Sequence, residues 1–308
     1  MDCIDVSNWT VLKATSKGSR DKKWVTPRHS FKIREDHSPL ELFIFKESHK
    51  NYPSEFWSEI LACEIGRLVG VETQDVRCAH MHKTYGSLIT FFLKISGHEL
   101  VEQLKEGGDL ILQLHPSYDR KKGKDHNILY VKEVFDNLGQ QALFDVFLKQ
   151  LVFDCLIGNT DRHQDNWGFI VNYEIKNIRL APAYDNTDCF GREIMAKHIG
   201  GFLERDKVKL EAYVRRGKPH LRWSDDGISL QTIDHFEFLK RLAYIYPQII
   251  TFAEQQTAFS ETDIGAILRK LRAIRIKNAH YALSPKRTKL MYNIIIRRRD
   301  IIRGCFSL

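Results

Sequence analysis

Residues 158–188 read GNTDRHQDNWGFIVNYEIKNIRLAPAYDNTD and restrict the fold more tightly than any other stretch. Asp161, His163, Asp165 and Asn166 crowd into six positions, and two short apolar runs follow, 167–171 and 178–181, separated by the polar residues 172–177. Runs of that length around such a turn predict a β-hairpin, which returns the chain to where it began. Asn166 and Asp185 are therefore expected side by side, with Asp161 facing the same space. An amide oxygen and a carboxylate are hard donors of the kind Mg²⁺ accepts when phosphate oxygens and water complete its shell.

Asn, Asp and Gly also dominate turns for purely local hydrogen-bonding reasons, so Asp161 with Asn166 alone would suit an ordinary Asx-rich turn. Asp185, placed beyond a hairpin, is what argues against that. Phosphoryl-transfer sites of the protein-kinase type need this set: one Asp at the acceptor hydroxyl, and an Asn and a second Asp for metal.

The rest of the chain supplies a setting. With 308 residues, 43% of them hydrophobic, it is long enough to bury a sizeable core. The net charge of +8 favours anionic partners in general. No run approaches the roughly 20 apolar residues of a membrane span, and MDCIDVSNWT lacks the order of a signal peptide. The expected location is a bacterial cytoplasm, or delivery to a host cell by a route without an N-terminal signal. Six cysteines are scattered without zinc-site spacing and read as free thiols.

Residues 1–95 read as a small antiparallel β lobe with one helix. Strands are expected at 9–12, 24–25, 42–46, 75–82 and 87–94, and a helix from near Pro53 to Gly70. Leu42, Ile44 and Lys46 share one strand face, which sets a lysine in line with apolar residues. Glu59 and Glu64 on the helix are both candidate partners for it, and Glu64 falls within the apolar stripe, where a lone carboxylate is costly. Residues 96–308 read as a larger, mostly helical lobe that carries the hairpin, with helices at 126–138, 140–157, 207–215, 233–246, 247–257, 260–273 and 285–303. The fold class is thus α+β and two-lobed. His80 and His82 read as a solvated strand edge, and Arg297, Arg298, Arg299 and Arg303 as the polar face of the last helix.

The sequence Gly158-Asn159-Thr160-Asp161-Arg162-His163-Gln164-Asp165-Asn166-Trp167-Gly168, followed by Leu180-Ala181-Pro182-Ala183-Tyr184-Asp185, resembles the HipA-like serine/threonine kinases, especially their compact branch. The likeness extends back through Phe45-Lys46 and Ser58-Glu59 to the turn at 18–24. It implies a protein-kinase-like fold with ATP and Mg²⁺, and γ-phosphate transfer to a serine or threonine hydroxyl of a protein, with tyrosine as a further acceptor. It further implies Asp161 as the base with His163 beside it, Lys46 on the α/β-phosphates, Glu59 as its partner, and Asn166 and Asp185 as metal ligands. The phosphate loop corresponds to Ser16 through Lys23, including Gly18 and Ser19, where one glycine and much charge imply a looser, lysine-assisted clamp; Ser16 and Ser19 are then candidate autophosphorylation sites. An antitoxin-like protein partner is implied as well, with nucleic acid reached through that partner or through the basic tail. The same Asp, His, Asn and later Asp pattern also resembles phosphatidylinositol kinases, and a kinase-shaped module without catalysis is the remaining alternative.

Overall fold

The computed structural model describes residues 2–15, 22–27, 41–49, 51–96, 99–205 and 207–308. Six strands form the first sheet: β1 (Ile4–Asp5), β2 (Thr10–Thr15), β3 (Lys22–Thr26), β4 (Phe43–Glu47), β5 (Val76–Met81) and β6 (Thr84–Thr90), in the order β1-β5-β6-β4-β3-β2. All pairs are antiparallel except β1 with β5, so the expected antiparallel sheet carries one parallel edge strand. That strand covers β5 at Ala79 and His80. The stretch 80–82 is consequently less of an open edge than the sequence suggested, and His82 occupies the turn with φ 54°.

Helix α1 (Phe56–Val69) packs on this sheet and starts three residues later than Pro53, after a turn. Its C-terminal stop is Gly70. Register fixes the position of the strand lysine. Lys46 on β4 lies opposite Ser87 of β6 and Lys22 of β3.

Beyond the first sheet come β7 (Ile95–Ser96), β8 (Glu99–Leu100) and β9 (Glu102–Glu106). The expected hairpin forms from β10 (Gly168–Asn172) and β11 (Asn177–Leu180), and β9 pairs with β10 to make it a three-stranded sheet. The change to helical character is therefore later than residue 97. Helix α2 (Gly107–Leu114) follows β9 directly. Its first residue has to be small, because a Cβ on Gly107 would sit 2.2 Å from the Trp167 ring.

Helices α3 (Ile128–Asn137) and α4 (Gln141–Ile157) build the core with Phe135, Phe144, Phe147 and the hairpin's Trp167 and Phe169. α4 is buried along most of its length and ends at Gly158, where φ 73° is a conformation glycine adopts without penalty. Then come α5 (Ile199–Phe202), α6 (Val208–Arg216), α7 (His235–Ile245), α8 (Gln248–Thr257), α9 (Glu261–Arg272) and α10 (Pro285–Phe306). The Ser260–Asp263 capping box read from the sequence opens α9.

The C-terminal arginines depart from the sequence reading. Arg298 is buried; Arg297 pairs with Glu211, Arg299 bonds the Phe259 carbonyl, and Arg303 bonds the Thr257 carbonyl. They fasten α10 to its neighbours rather than forming a solvated face. The cysteines are free thiols. Among the described residues no helix is long and apolar enough to cross a membrane.

Candidate active site

Alternation along β4 sends Phe45 into the small core and turns Ile44 and Lys46 to the other face, toward a cavity of about 460 Å³. Lys46 is only 4% exposed. Its ammonium donates to Glu59 Oε1 at 3.1 Å, Asp185 Oδ1 at 2.6 Å and Thr187 Oγ1 at 2.8 Å. A buried ammonium is tolerated only with such partners. Glu59, in the first turn of α1, accepts from Ser87 Oγ at 2.7 Å through its other oxygen. Between the two candidate carboxylates, Glu59 is therefore the one beside Lys46. Glu64 is buried as the helical wheel required, but pairs with Arg67 and with Lys270 at 3.6 Å.

The helical half of the site starts where α4 stops. Arg162, 2% exposed, donates to Asp154 through Nε and Nη2 at 2.9 and 2.8 Å, to the carbonyls of Asn166 and Tyr184, and to Asn186 Oδ1. One guanidinium thus ties the last turn of α4 to both ends of the hairpin. The sequence reading missed it, although Asp154 inside an otherwise apolar helix was a signal, since a buried carboxylate requires a partner.

Asn166 donates its amide N–H to the Asp161 carbonyl at 2.7 Å, which leaves its side-chain oxygen as the donor atom for a cation. The hairpin delivers Asp185 in a left-handed conformation, φ 51°, unusual for a residue with a Cβ. The two halves are stitched beside it: Ala183 N–H donates to the Glu72 carbonyl at 2.9 Å and Gln74 N–H to the Ala183 carbonyl at 3.1 Å.

The cavity thus gathers Lys46, Glu59, His163, Asn166 and Asp185 from the predicted set, together with Lys22, which belongs to the stretch from Ser16 through Lys23 that the resemblance assigns to the phosphate loop. His163 Nδ1 accepts from the Asp165 N–H at 3.1 Å, a local structural bond. Asp161 is half-buried and does not line this cavity. Asp161 stands in the chain between Thr160, which lines a second cavity, and Arg162-His163, of which His163 lines this one. His220 packs 5.8 Å from the His163 ring; burial lowers its pKa, His163 lowers it further, and the Asp161 charge opposes both. Ser16, Gly18 and Ser19 lie outside the described residues.

The donor set fits a hard cation that shares its shell with phosphate. Among the described residues no cluster of three or more His, Cys, Asp or Glu side chains is placed to hold a metal. The protein offers the Asn166 oxygen and the Asp185 carboxylate, and Mg²⁺ is the ion commonly bound by so few protein ligands. The opposite end of the cavity is apolar, with Trp24, Ile44, Ile89, Phe91 and Phe92.

Comparison with known proteins bears on the fold and the family. The chain is 31% identical over 162 residues to the serine/threonine-protein kinase CtkA of Helicobacter pylori, an alignment covering 48% of this chain and 47% of that protein. The matched region is thus about half the length of that relative. A crystal structure of the H. pylori proinflammatory kinase CtkA superposes with a TM-score of 0.78 at 19% identity, over 99% of this chain and 97% of the other. A Shewanella oneidensis HipA, in a complex with HipB and operator DNA, superposes with a TM-score of 0.51 at 10% identity, over 97% of this chain and 68% of that one. The two-lobed α+β architecture expected from the sequence is the fold these structures share. The description "HipA-like C-terminal domain" matches residues 14–221, most of the chain, and with the buried lysine, the clamped loop and the hairpin in place, the protein belongs to that family.

Proposed function

We propose that the protein is an ATP-dependent protein kinase that transfers the γ-phosphate to a serine or threonine hydroxyl, and that it also phosphorylates itself. The observation that carries this reading is Lys46, held between Glu59 of the sheet half and Asp185 of the helical half inside a cavity with one apolar and one charged end. The apolar end suits a flat base, and the charged end suits phosphates. In this reading residues 1–95 bind the nucleotide and residues 96–308 carry the catalytic loop.

Lys46 offsets charge on the phosphates, and Glu59, fixed by Ser87, holds the ammonium in place. Asp161 orients the acceptor hydroxyl and takes its proton; among the described residues nothing donates a hydrogen bond to its carboxylate, so its oxygens are available. Asn166 and Asp185 would hold Mg²⁺, which supplies further positive charge against the phosphate oxygens. Arg162 keeps the loop that bears Asp161 and Asn166 in register with the one that bears Asp185. An antitoxin-like partner enters only through likeness to the HipA found with HipB and DNA. Nucleic-acid binding through the C-terminal arginines is disfavoured, because the chain itself engages them.

Incubating the purified chain with radiolabelled Mg-ATP and mapping phosphosites on itself and on a lysate tests the reading. Lys46→Ala, Asp161→Ala and Asp185→Ala proteins are each expected to fold and to lose transfer, the Asp161 variant by about 10²- to 10⁴-fold. Wild-type transfer by Asp185→Ala, or label appearing in lipid vesicles and never in protein, overturns it.

A further inference from the structure

A second cavity, of about 440 Å³, is lined by Thr160, the residue before Asp161. The end of α4 with Thr160, the segment 188–193, the end of α6 and one face of α10 enclose it. Hydrogen bonds from Thr160 N–H to the Asp188 carbonyl and from Phe190 N–H to the Ile157 carbonyl, both 3.3 Å, hold the first two of these walls together. Thr160 is exposed and immediately precedes Asp161, so a polypeptide that presents a hydroxyl to Asp161 passes the mouth of this cavity.

Its walls are positively charged. Four cations, Arg192, Arg216, Lys218 and Arg298, face two carboxylates, Asp188 and Glu193. Asp188 is already paired with Arg192, which also bonds Glu55, and Glu193 accepts from the Tyr213 hydroxyl. Arg216 is exposed and stacked on Tyr213 at 5.5 Å, and Lys218 is exposed; among the described residues neither has a carboxylate within ion-pair distance.

Arg298 forms the floor. It is 2% exposed, and its partners are the Cys155 and Val214 carbonyls, the Cys155 sulfur and the Phe236 ring. The two carbonyls belong to the last turns of α4 and α6, whose dipoles offset the guanidinium only in part. A high overall charge makes basic patches common on this protein. A concave one, with a buried arginine at its base and Thr160, the residue before the proposed catalytic aspartate, in its wall, is more specific.

We infer that this cavity docks an acidic side chain of the acceptor polypeptide, a carboxylate or a phosphate, close to the hydroxyl presented to Asp161. Arg216 and Lys218 contact the anion at the mouth, and Arg298 keeps the floor positive. The inference rests on the phosphotransfer reading above and assigns that reaction a class of substrate: serine or threonine within an acidic or already phosphorylated sequence.

The test uses synthetic peptides with one serine acceptor and Asp, phosphoserine, Ala or Lys at each position within about four residues of it, the span a short extended segment covers across such a cavity. The expected order of kcat/KM is Asp or phosphoserine above Ala above Lys, by about tenfold per step at the best position, which corresponds to about 1.4 kcal/mol. The Asp and phosphoserine series tell the two anion sources apart. In the Arg216→Glu/Lys218→Glu protein the order reverses, while binding of a fluorescent ATP analogue stays at the wild-type level. No preference in the wild type, or a preference that survives the double substitution, overturns the inference. If the wild type phosphorylates no peptide, the kinase reading fails by itself, and fluorescence anisotropy of a labelled acidic peptide decides for the cavity. Salt-sensitive binding abolished by the double substitution supports it, and equal binding to both proteins overturns it.

Discussion

Arg162 and Arg298 are among the largest fully buried side chains of the molecule, and they flank the same turn at the end of α4. Arg162 is answered completely: a carboxylate grips it with two bonds, and two carbonyls and an amide oxygen take the remaining N–H groups. Arg298 has carbonyls, a thiol and an aromatic ring, but no carboxylate among the described residues. The difference separates two uses of a buried charge. A guanidinium paired within the chain is a structural bolt, and one left positive at the wall of a cavity is a capacity to bind.

The largest effect expected from this contrast is on stability. Arg162→Met strands the Asp154 carboxylate in the core and should cost about 3–5 kcal/mol, read from urea unfolding. Arg298→Met strands carbonyls and no charge, and should cost about 1–3 kcal/mol. Equal losses would erase the distinction between the two sites.

That contrast also shows where the sequence was readable. The hairpin, the Gly158 stop and the face of β4 that bears Lys46 depend on local alternation and turn chemistry, and all three are legible in short windows. Arg298 was legible in principle, because it lies four residues from both Ile294 and Ile302 on the apolar stripe of α10; the run of three arginines disguised it as a polar face. The resemblance implied Glu59 over Glu64, but the helical wheel alone left the choice open, since it cannot show that Arg67 and Lys270 neutralise the carboxylate that looked misplaced. β9 was illegible for a similar reason. Its sequence, EQLKE, has no strand period of its own, and pairing with β10 decides it.

Acidification probes both regions at once. Burial lowers the pKa values of His126 and His220 on the Arg162 side and of His235 beside Arg298, and Arg298 lowers that of His235 further. Their folded values lie below the ordinary 6.5, so the unfolded chain takes up protons first as pH falls. Stability is then full above about pH 6.5 and declines below it, by up to about 1.4 kcal/mol per group for each pH unit until the folded value is reached. Melting temperatures between about pH 8 and 5.5 check this. The sharper form uses one variant: Arg298→Met removes one of the two causes acting on His235, so its folded value moves back toward the ordinary one and the acid limb should level off at a higher pH than in the wild type. Levelling at the same pH in both proteins would mean that Arg298 exerts no field on His235.

The smallest effect concerns the turn that both arginines share. Gly158 has φ 73°, where a residue with a Cβ is strained, and an added Cβ would lie 3.3 Å from Arg298 Nε. Gly158→Ala should therefore cost about 1 kcal/mol from backbone conformation, with a further fraction from crowding Arg298. The two parts are separable, because in an Arg298→Met background the crowding is relieved and only the conformational part remains. A double-mutant cycle by urea unfolding reads the difference as a coupling energy. Coupling of Gly158 to Arg298 but not to Arg162 is the expected result, since only Arg298 lies against the added methyl. If Gly158 couples to Arg162 instead, the turn belongs to the bolt, and Arg298 would have to be reassigned from the wall of a binding cavity to the packing of α10.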